Sequence, residues 1–71
     1  MNDNACTKFA IKVKQIREDK KFTKGKLSQL ADLDMSYIGK IERCEKSPNL
    51  RTIVKLANAL EVKVKDLFDF E

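Results

Sequence analysis

Two short amphipathic segments separated by a tight turn, within Leu27–Arg43, constrain the fold of this 71-residue chain more than any other feature. The apolar residues at helical spacing are Leu27, Leu30 and Ala31 in the first segment and Ile38 and Ile41 in the second. We expect the side chains of Thr23 and Asp34, which precede the segments, to accept backbone N–H groups as N-caps. The pattern predicts a helix, a turn and a second helix.

Three further helices are predicted around this pair, which makes one all-α, five-helix domain over residues 1–71. The first, at about 6–20, follows from apolar residues at i, i+4 and i+7, namely Phe9, Val13 and Ile16. The fourth, at 50–60, has Asn49 as its N-cap, and its expected inward residues are Leu50, Ile53, Val54, Leu56, Ala57 and Leu60. The last, at about 64–70, is expected to turn Leu67 and Phe68 inward.

The composition is that of a globular chain with a heavily charged surface, at 42% hydrophobic and 37% charged residues. No apolar run approaches the ~20 residues of a membrane span. The first eight residues lack the apolar stretch of a signal peptide. We therefore expect a cytoplasmic protein without a membrane partner, and no small-molecule substrate is evident.

Positive charge is concentrated in the first fifty residues, although the net charge is only +4. Lys and Arg outnumber Asp and Glu by 6 to 3 in residues 1–22 and by 6 to 4 in residues 23–51, but number 3 against 4 in residues 52–71. This asymmetry suits a polyanion on one side of the molecule. Judged by charge alone, lysine-rich faces that are only solvated explain the asymmetry as well as a polyanionic partner does.

The chain offers no site for metal, cofactor or enzyme chemistry. It has no histidine and only two cysteines, Cys6 and Cys44, so a zinc site lacks ligands. A disulfide between them is not expected in a reducing compartment. Neither a phosphate-binding glycine loop nor a nucleophile paired with a base is present, and the prediction is that the protein is not an enzyme.

The central segment resembles the Cro/C1-type (XRE-type) helix-turn-helix family of bacterial and phage DNA-binding regulators. The matching residues are Phe22-Thr23, Leu27, Ala31, Leu33, Asp34 and the ending Ile38-Gly-Lys-Ile41-Glu42-Arg43. The likeness continues through Ser47-Pro48-Asn49-Leu50, Ile53, Leu56-Ala57, Ala59-Leu60 and Asp66-Leu67-Phe68, so that it covers about residues 9–68. It implies a lambda-repressor-like fold and a helix, at about 35–43, that enters the DNA major groove.

By this resemblance, the base-reading residues are Met35, Ser36 and Lys40. Their chemistry suits the role: lysine can donate to guanine O6 and N7, serine can donate or accept, and methionine can contact a thymine methyl. Gly39 lets the helix approach the DNA closely. The residues assigned to backbone or mixed contacts are Lys24, Lys26, Tyr37, Arg43, Lys46, Asn49 and Arg51. Several of these lie at helix N-termini, where an anion is favoured.

The chain departs from the family at three turn positions that usually carry glycine. Asp32 tolerates a left-handed backbone at moderate cost, and we expect positive φ there. Cys44 is a poorer left-handed residue, so its loop either differs in shape or carries strain, and Glu61 stands at the third position. The resemblance also implies a partly buried ion pair between Arg17 and Glu42 that orients the recognition helix.

A single recognition helix buries only about 600–1,000 Å², so the expected DNA-binding unit is a homodimer on a (pseudo)palindromic operator. The candidate dimer residues are Val62, Val64, Leu67, Phe68 and Phe70. The short chain resembles stand-alone regulators such as restriction-modification controllers and small phage repressors. The alternative is an antitoxin or another protein-interaction module that uses the same fold.

Overall fold

The computed structural model describes residues 4–70, which are all-helical as predicted and contain no strand. Its elements are α1 (Asn4–Asp19), α2 (Lys24–Ala31), α3 (Met35–Glu42), α4 (Leu50–Leu60) and a 3₁₀ helix (Val64–Phe68). Within the described range no helix is long and apolar enough to cross a membrane.

Local capping explains where two of the helices, α2 and α4, begin and end. The Thr23 hydroxyl accepts from Lys26 N at 3.0 Å, and Asn49 Oδ1 accepts from Thr52 N at 2.9 Å. Asp32 ends α2 and Glu61 ends α4, both in the left-handed conformation with φ of 57° and 59°. The N-cap prediction is therefore confirmed for Thr23 and Asn49, and the positive φ predicted at Asp32 is confirmed too.

The predicted side-chain cap at Asp34 is wrong. Asp34 does occupy the N-cap position of α3, but its side chain accepts no backbone N–H. Its Oδ2 accepts instead from the Ser36 hydroxyl at 2.9 Å. A hydroxyl two residues away competes with the backbone donor for the same carboxylate, so α3 begins without this stabilisation.

One core joins all five elements. Its completely buried side chains come from every helix and are Val13, Leu27, Ile38, Ile41, Leu56, Leu60 and Leu67. Phe9, Ala31 and Ala57 complete it, while Ile16, Phe22 and Ile53 pack at its edge. Because α2 and α3 both contribute, the helix-turn-helix is part of the core and is fixed relative to α1 and α4.

Four residues expected to point inward lie at the surface. Their exposed fractions are 47% for Leu30, 71% for Leu50, 39% for Val54 and 45% for Phe68. In α4 the apolar residues cover more than one face, so periodicity did not decide which face is inward. The structure chooses the face centred on Leu56, which is fully buried.

The last helix, predicted at about 64–70, is present as a five-residue 3₁₀ helix that ends at Phe68. Asp66 Oδ2 accepts from Lys63 N at 2.9 Å and fixes the first turn. The i→i+3 hydrogen bonds of a 3₁₀ helix suit an element of so few residues. Leu67 still reaches the core from this element.

Cys6 of α1 and Cys44, after α3, form a disulfide, contrary to the expectation from the sequence. Their Cα atoms are 6.0 Å apart, a typical separation for such a bridge, across 38 residues of sequence. Cys44 adopts φ of 59°, so the loop keeps the left-handed backbone of a glycine turn without a glycine.

Candidate nucleic-acid surface

The turn between α2 and α3 is closed by backbone hydrogen bonds around Asp32. Asp32 N donates to Gln29 O at 3.4 Å, and Leu33 N donates to Ser28 O at 2.9 Å. These bonds satisfy carbonyls at the end of α2 while the left-handed residue reverses the chain. The turn fixes the direction in which α3 leaves α2.

The outer face of α3 carries the three predicted base-reading residues. Met35 is 56% exposed, and Ser36 and Lys40 are also exposed. The opposite face places Ile38 and Ile41 in the core. The structure therefore leaves the beginning of α3 open to solvent and holds the helix through its inner face.

The Ser36 hydroxyl has a defined orientation because its proton is donated to Asp34. The hydroxyl oxygen still has lone pairs that can accept a hydrogen bond from another group. In a DNA groove such an acceptor suits the exocyclic amino groups of adenine or cytosine.

Met35 connects the beginning of α3 to the beginning of α2. A Cβ placed on Gly25 would lie 3.4 Å from Met35 Sδ, so the thioether rests against Gly25. Lys24 and Lys26 flank this glycine and are both exposed. The side chains proposed to read bases and to hold phosphates thus meet at one edge of the molecule.

Arg43 folds back over α3. A Cβ on Gly39 would lie 2.9 Å from Arg43 Nη1, too close for any residue other than glycine without movement of the guanidinium. Gly39 is consequently buried beneath Arg43, whereas the sequence assigned its missing side chain to close approach of DNA.

Glu45 holds Arg43 in this place. Arg43 Nε donates to Glu45 Oε2 at 2.8 Å and Nη2 donates to Oε1 at 3.3 Å. This hydrogen-bonded pair lowers the pKa of Glu45 and raises that of Arg43, and both side chains are about half exposed. Sequence reasoning missed Glu45, although an Arg-x-Glu spacing just after a helix was a visible signal.

The loop after α3 brings Lys46 close to the same helix. Glu45 N donates to Lys40 O at 2.8 Å and Lys46 N does so at 3.4 Å, while the Lys46 side chain is exposed. Tyr37 is half-buried and packs against the core, so its ring is held by the fold.

Asn49 and Arg51 lie at the beginning of α4 and are exposed. Asn49 Oδ1 is occupied by Thr52 N, which leaves its amide NH₂ as the group available to an anion. Together with Lys46, they form a polar and basic segment that follows α3 in the chain.

The side chains of Arg17 and Glu42 meet at the other end of α3. Arg17 Nε lies 2.7 Å from Glu42 Oε2 and Nη2 lies 3.1 Å from Oε1. Arg17 Nη1 also donates to Phe22 O at 2.7 Å, and the two side chains are only 8% and 3% exposed. This bidentate pair ties α1 to the end of α3.

The residues predicted for a dimer contact do not form one exposed patch. Leu67 is completely buried in the chain and cannot meet a partner, which corrects that part of the prediction. Val62, Val64 and Phe70 are partly buried against the core, and Phe68 is the most exposed of the set. Its ring stacks on Phe9 with a centroid distance of 5.1 Å.

Within residues 4–70 no group of three or more His, Cys, Asp or Glu side chains is placed to hold a metal ion. The surface around α3 instead combines exposed cations with hydrogen-bonding side chains on a rigid scaffold.

Comparison with known proteins places this surface in context. Residues 13–67 match the family model described as Helix-turn-helix. The control protein C.BamHI of Bacillus amyloliquefaciens is 41% identical over 71 residues, which are 99% of this chain and 88% of that protein.

Two solved structures have the same fold as this chain. The restriction-modification controller protein C.AhdI from Aeromonas hydrophila superposes with a TM-score of 0.87 at 35% identity, over 89% of this chain and 96% of the other. A mutant of C.Esp1396I bound to its highest-affinity operator site superposes with a TM-score of 0.84 at 26% identity, over 92% and 86% of the two chains.

Proposed function

Since the chain belongs to the Cro/C1-type (XRE-type) helix-turn-helix family, we propose that it is a sequence-specific double-stranded DNA-binding transcription regulator. The observation that supports this proposal is the open outer face of α3, where Met35, Ser36 and Lys40 are exposed on a helix whose other face is in the core. A helix presented in this way fits the DNA major groove. The operator-bound relative supports the same role.

Met35, Ser36 and Lys40 are the base-reading residues of this proposal. Lys40 donates to guanine, Met35 contacts a thymine methyl, and Ser36 accepts from an amino group because Asp34 already takes its proton. The backbone contacts come from two sides of the groove, through the residues Lys24, Lys26, Tyr37, Arg43, Lys46, Asn49 and Arg51. Arg17 and Glu42 keep α3 at the angle that these contacts require.

We further propose that the active unit is a homodimer on a (pseudo)palindrome. The chain measures 32 × 21 × 21 Å, so two copies side by side can place their α3 helices about 34 Å apart, one turn of DNA. Phe68 is one exposed apolar contact, and Leu50 and Val54, one turn apart on α4, supply another. The other candidate residues, Val62, Val64 and Phe70, lie two to six positions from Phe68 in the sequence.

A regulator of this kind acts where the bacterial chromosome is, and we therefore assign it to the cytoplasm. Its family is one of DNA-binding regulators and not of enzymes. No cofactor or catalytic step is part of the proposal.

The experiment begins with selection of bound duplexes from a random pool, which returns the site, its symmetry and its half-site spacing. On the selected duplex, Lys40→Ala should weaken binding by about 5- to 150-fold for each half-site engaged and relax the preference at one position of each half-site. Lys65→Ala, an exposed lysine on the 3₁₀ helix, is the charge-matched control and should change affinity less than about 2-fold. Equal losses in the two variants would contradict base reading by Lys40.

Salt dependence separates DNA binding from a protein-interaction role. The slope of log K against log salt should be about −0.9 for each phosphate neutralised, and Lys46→Ala should reduce its magnitude by about one per subunit engaged. Failure to select any duplex would favour an antitoxin or another protein-interaction role.

Val54→Lys should abolish the dimer in sedimentation while the circular dichroism spectrum stays helical.

A further inference from the structure

The structure assigns Cys6 and Cys44 to a reversible oxidation site, and we propose that their disulfide strengthens DNA binding by fixing the loop after α3. This inference rests on the proposed function, because it concerns the control of the same DNA-binding surface. The bridge joins α1 to the residue that directly follows Arg43.

A disulfide between Cys6 and Cys44 is unusual for a protein of the cytoplasm, the compartment to which we assign this chain. A cytoplasmic regulator works among small thiols that reduce ordinary disulfides, and intracellular bridges in such a setting are usually transient and redox-sensing. Both cysteines are partly exposed, so the bridge is open to exchange. A groove beside Cys6, lined by Ala5, Phe9, Pro48, Ile53 and Phe68, gives a small thiol or disulfide a route to the sulfur.

The fold keeps the two sulfurs within reach of each other after reduction. The Arg17–Glu42 ion pair joins the same two elements, since Glu42 precedes Cys44 by two residues and Arg17 lies on α1 with Cys6. This pair is buried and does not depend on the bridge. The reduced thiols therefore remain neighbours, and the bridge can form again without refolding.

Cys44 lies in the loop that positions part of the proposed DNA-binding surface. Cys44 holds φ of 59°, a conformation that residues other than glycine adopt at a cost, and the bridge retains it there. Arg43 and Lys46 lie within two residues on either side and are proposed phosphate contacts. Reduction removes the covalent link to α1, so that only backbone hydrogen bonds to α3 hold the loop, and the loop that positions both cations becomes less rigid.

The reaction is a two-electron thiol–disulfide exchange with a low-molecular-weight disulfide, RSSR, as the oxidant. The Cys6 thiolate attacks one sulfur of RSSR, which forms a mixed disulfide and expels RS⁻. The Cys44 thiolate then attacks the Cys6 sulfur, forms the intramolecular S–S bond and expels the second RS⁻. The two cysteines lose two electrons and two protons, and RSSR leaves as two RSH.

The test uses the full chain equilibrated in glutathione buffers from fully reduced to fully oxidised. Alkylation followed by mass spectrometry counts the free thiols, a thermal melt gives Tm, and fluorescence anisotropy gives the affinity for a selected duplex. On reduction, Tm should fall by about 10 °C or more and the affinity should fall by about 5-fold or more. Cys6→Ser keeps Cys44 in its loop but cannot form the bridge, so in oxidised buffers Cys44 can only form the mixed disulfide, which mass spectrometry detects, and Tm and affinity should not rise as they do in the wild type. Cys44→Ser should behave in the same way.

Three results would overturn the inference: thiols that stay free in every buffer, an affinity that is the same in both forms, or a Cys6→Ser variant whose Tm and affinity still rise on oxidation. Absence of DNA binding in both forms, with the expected changes in free thiols and Tm, would reject the proposed function. It would uphold the oxidation site itself and remove its regulatory role.

Discussion

The two ends of α3 are held in different ways. At its beginning the helix has no side-chain cap, Met35 and Ser36 are exposed, and Met35 rests on Gly25. At its end the Arg17–Glu42 ion pair, the Arg43–Glu45 pair and the Cys6–Cys44 disulfide all converge within four residues. The comparison teaches that contacts with α1 and with the following loop can anchor α3 at its end, which leaves its outer face open to solvent.

The largest effect should come from removing the buried anchor at the end of α3. Glu42→Ala leaves the Arg17 guanidinium buried without its carboxylate and should lower the free energy of unfolding by about 3–5 kcal/mol. Glu18→Ala removes an exposed carboxylate 3.9 Å from the same arginine and should cost less than about 1 kcal/mol. Urea denaturation measures both, and similar losses would mean that burial does not distinguish the two pairs.

A smaller effect should separate the two left-handed residues that flank α3. Asp32→Gly should raise the free energy of unfolding by about 0.5–1 kcal/mol, because glycine adopts positive φ without steric cost. Cys44→Gly should give a similar gain over the reduced wild-type chain, but a loss of about 1–3 kcal/mol relative to the oxidised chain, which has the bridge. Denaturation with and without reductant tests this, and a Cys44→Gly chain that equals the oxidised wild type would contradict it.

The smallest effect should come from the exposed pair at the end of α3. Glu45→Gln should leave Tm unchanged, since both partners are about half exposed, and should raise DNA affinity about 2- to 3-fold by removing a negative charge beside Arg43.

The pH dependence of this pair has a definite sign. Because hydrogen bonding to Arg43 lowers the pKa of Glu45 below 4.5, the pair is intact above that pH and is lost only as pH falls through the lowered value. The affinity ratio between Glu45→Gln and wild type should therefore be constant from pH 5.5 to 7.5. A ratio that changes across this range would show that another group controls Arg43.

Features set by neighbours in the chain could be predicted from the sequence. The caps at Thr23 and Asn49, the positive φ at Asp32 and the bounds of α4 depend on residues within one helical turn. Features that depend on three-dimensional packing could not. The exposure of Leu50 and Val54 required the orientation of α4, and the bridge required the approach of Cys6 to a residue 38 positions away.

The same distinction, between features set by sequence neighbours and features set by packing, applies to the candidate site. The exposure of Ser36 and Lys40 follows from the helical pattern of α3. The donation from Ser36 to Asp34 and the position of Arg43 over Gly39 depend on rotamers that no periodicity specifies. The sequence therefore indicates which residues of α3 face outward, and the structure is needed to say which atoms they offer.

The contact between Met35 and Gly25 has a mechanical consequence. Since the beginnings of α2 and α3 touch there and their inner faces share one core, the lysines proposed to contact phosphates on α2 and the helix proposed to read bases are packed together as one rigid unit. In the proposed dimer, the distance between the two α3 helices can differ from the spacing of the two half-sites. Because each subunit is rigid, bending of the duplex must then make up the difference. Operators with easily deformed central steps would gain occupancy even where no side chain touches them.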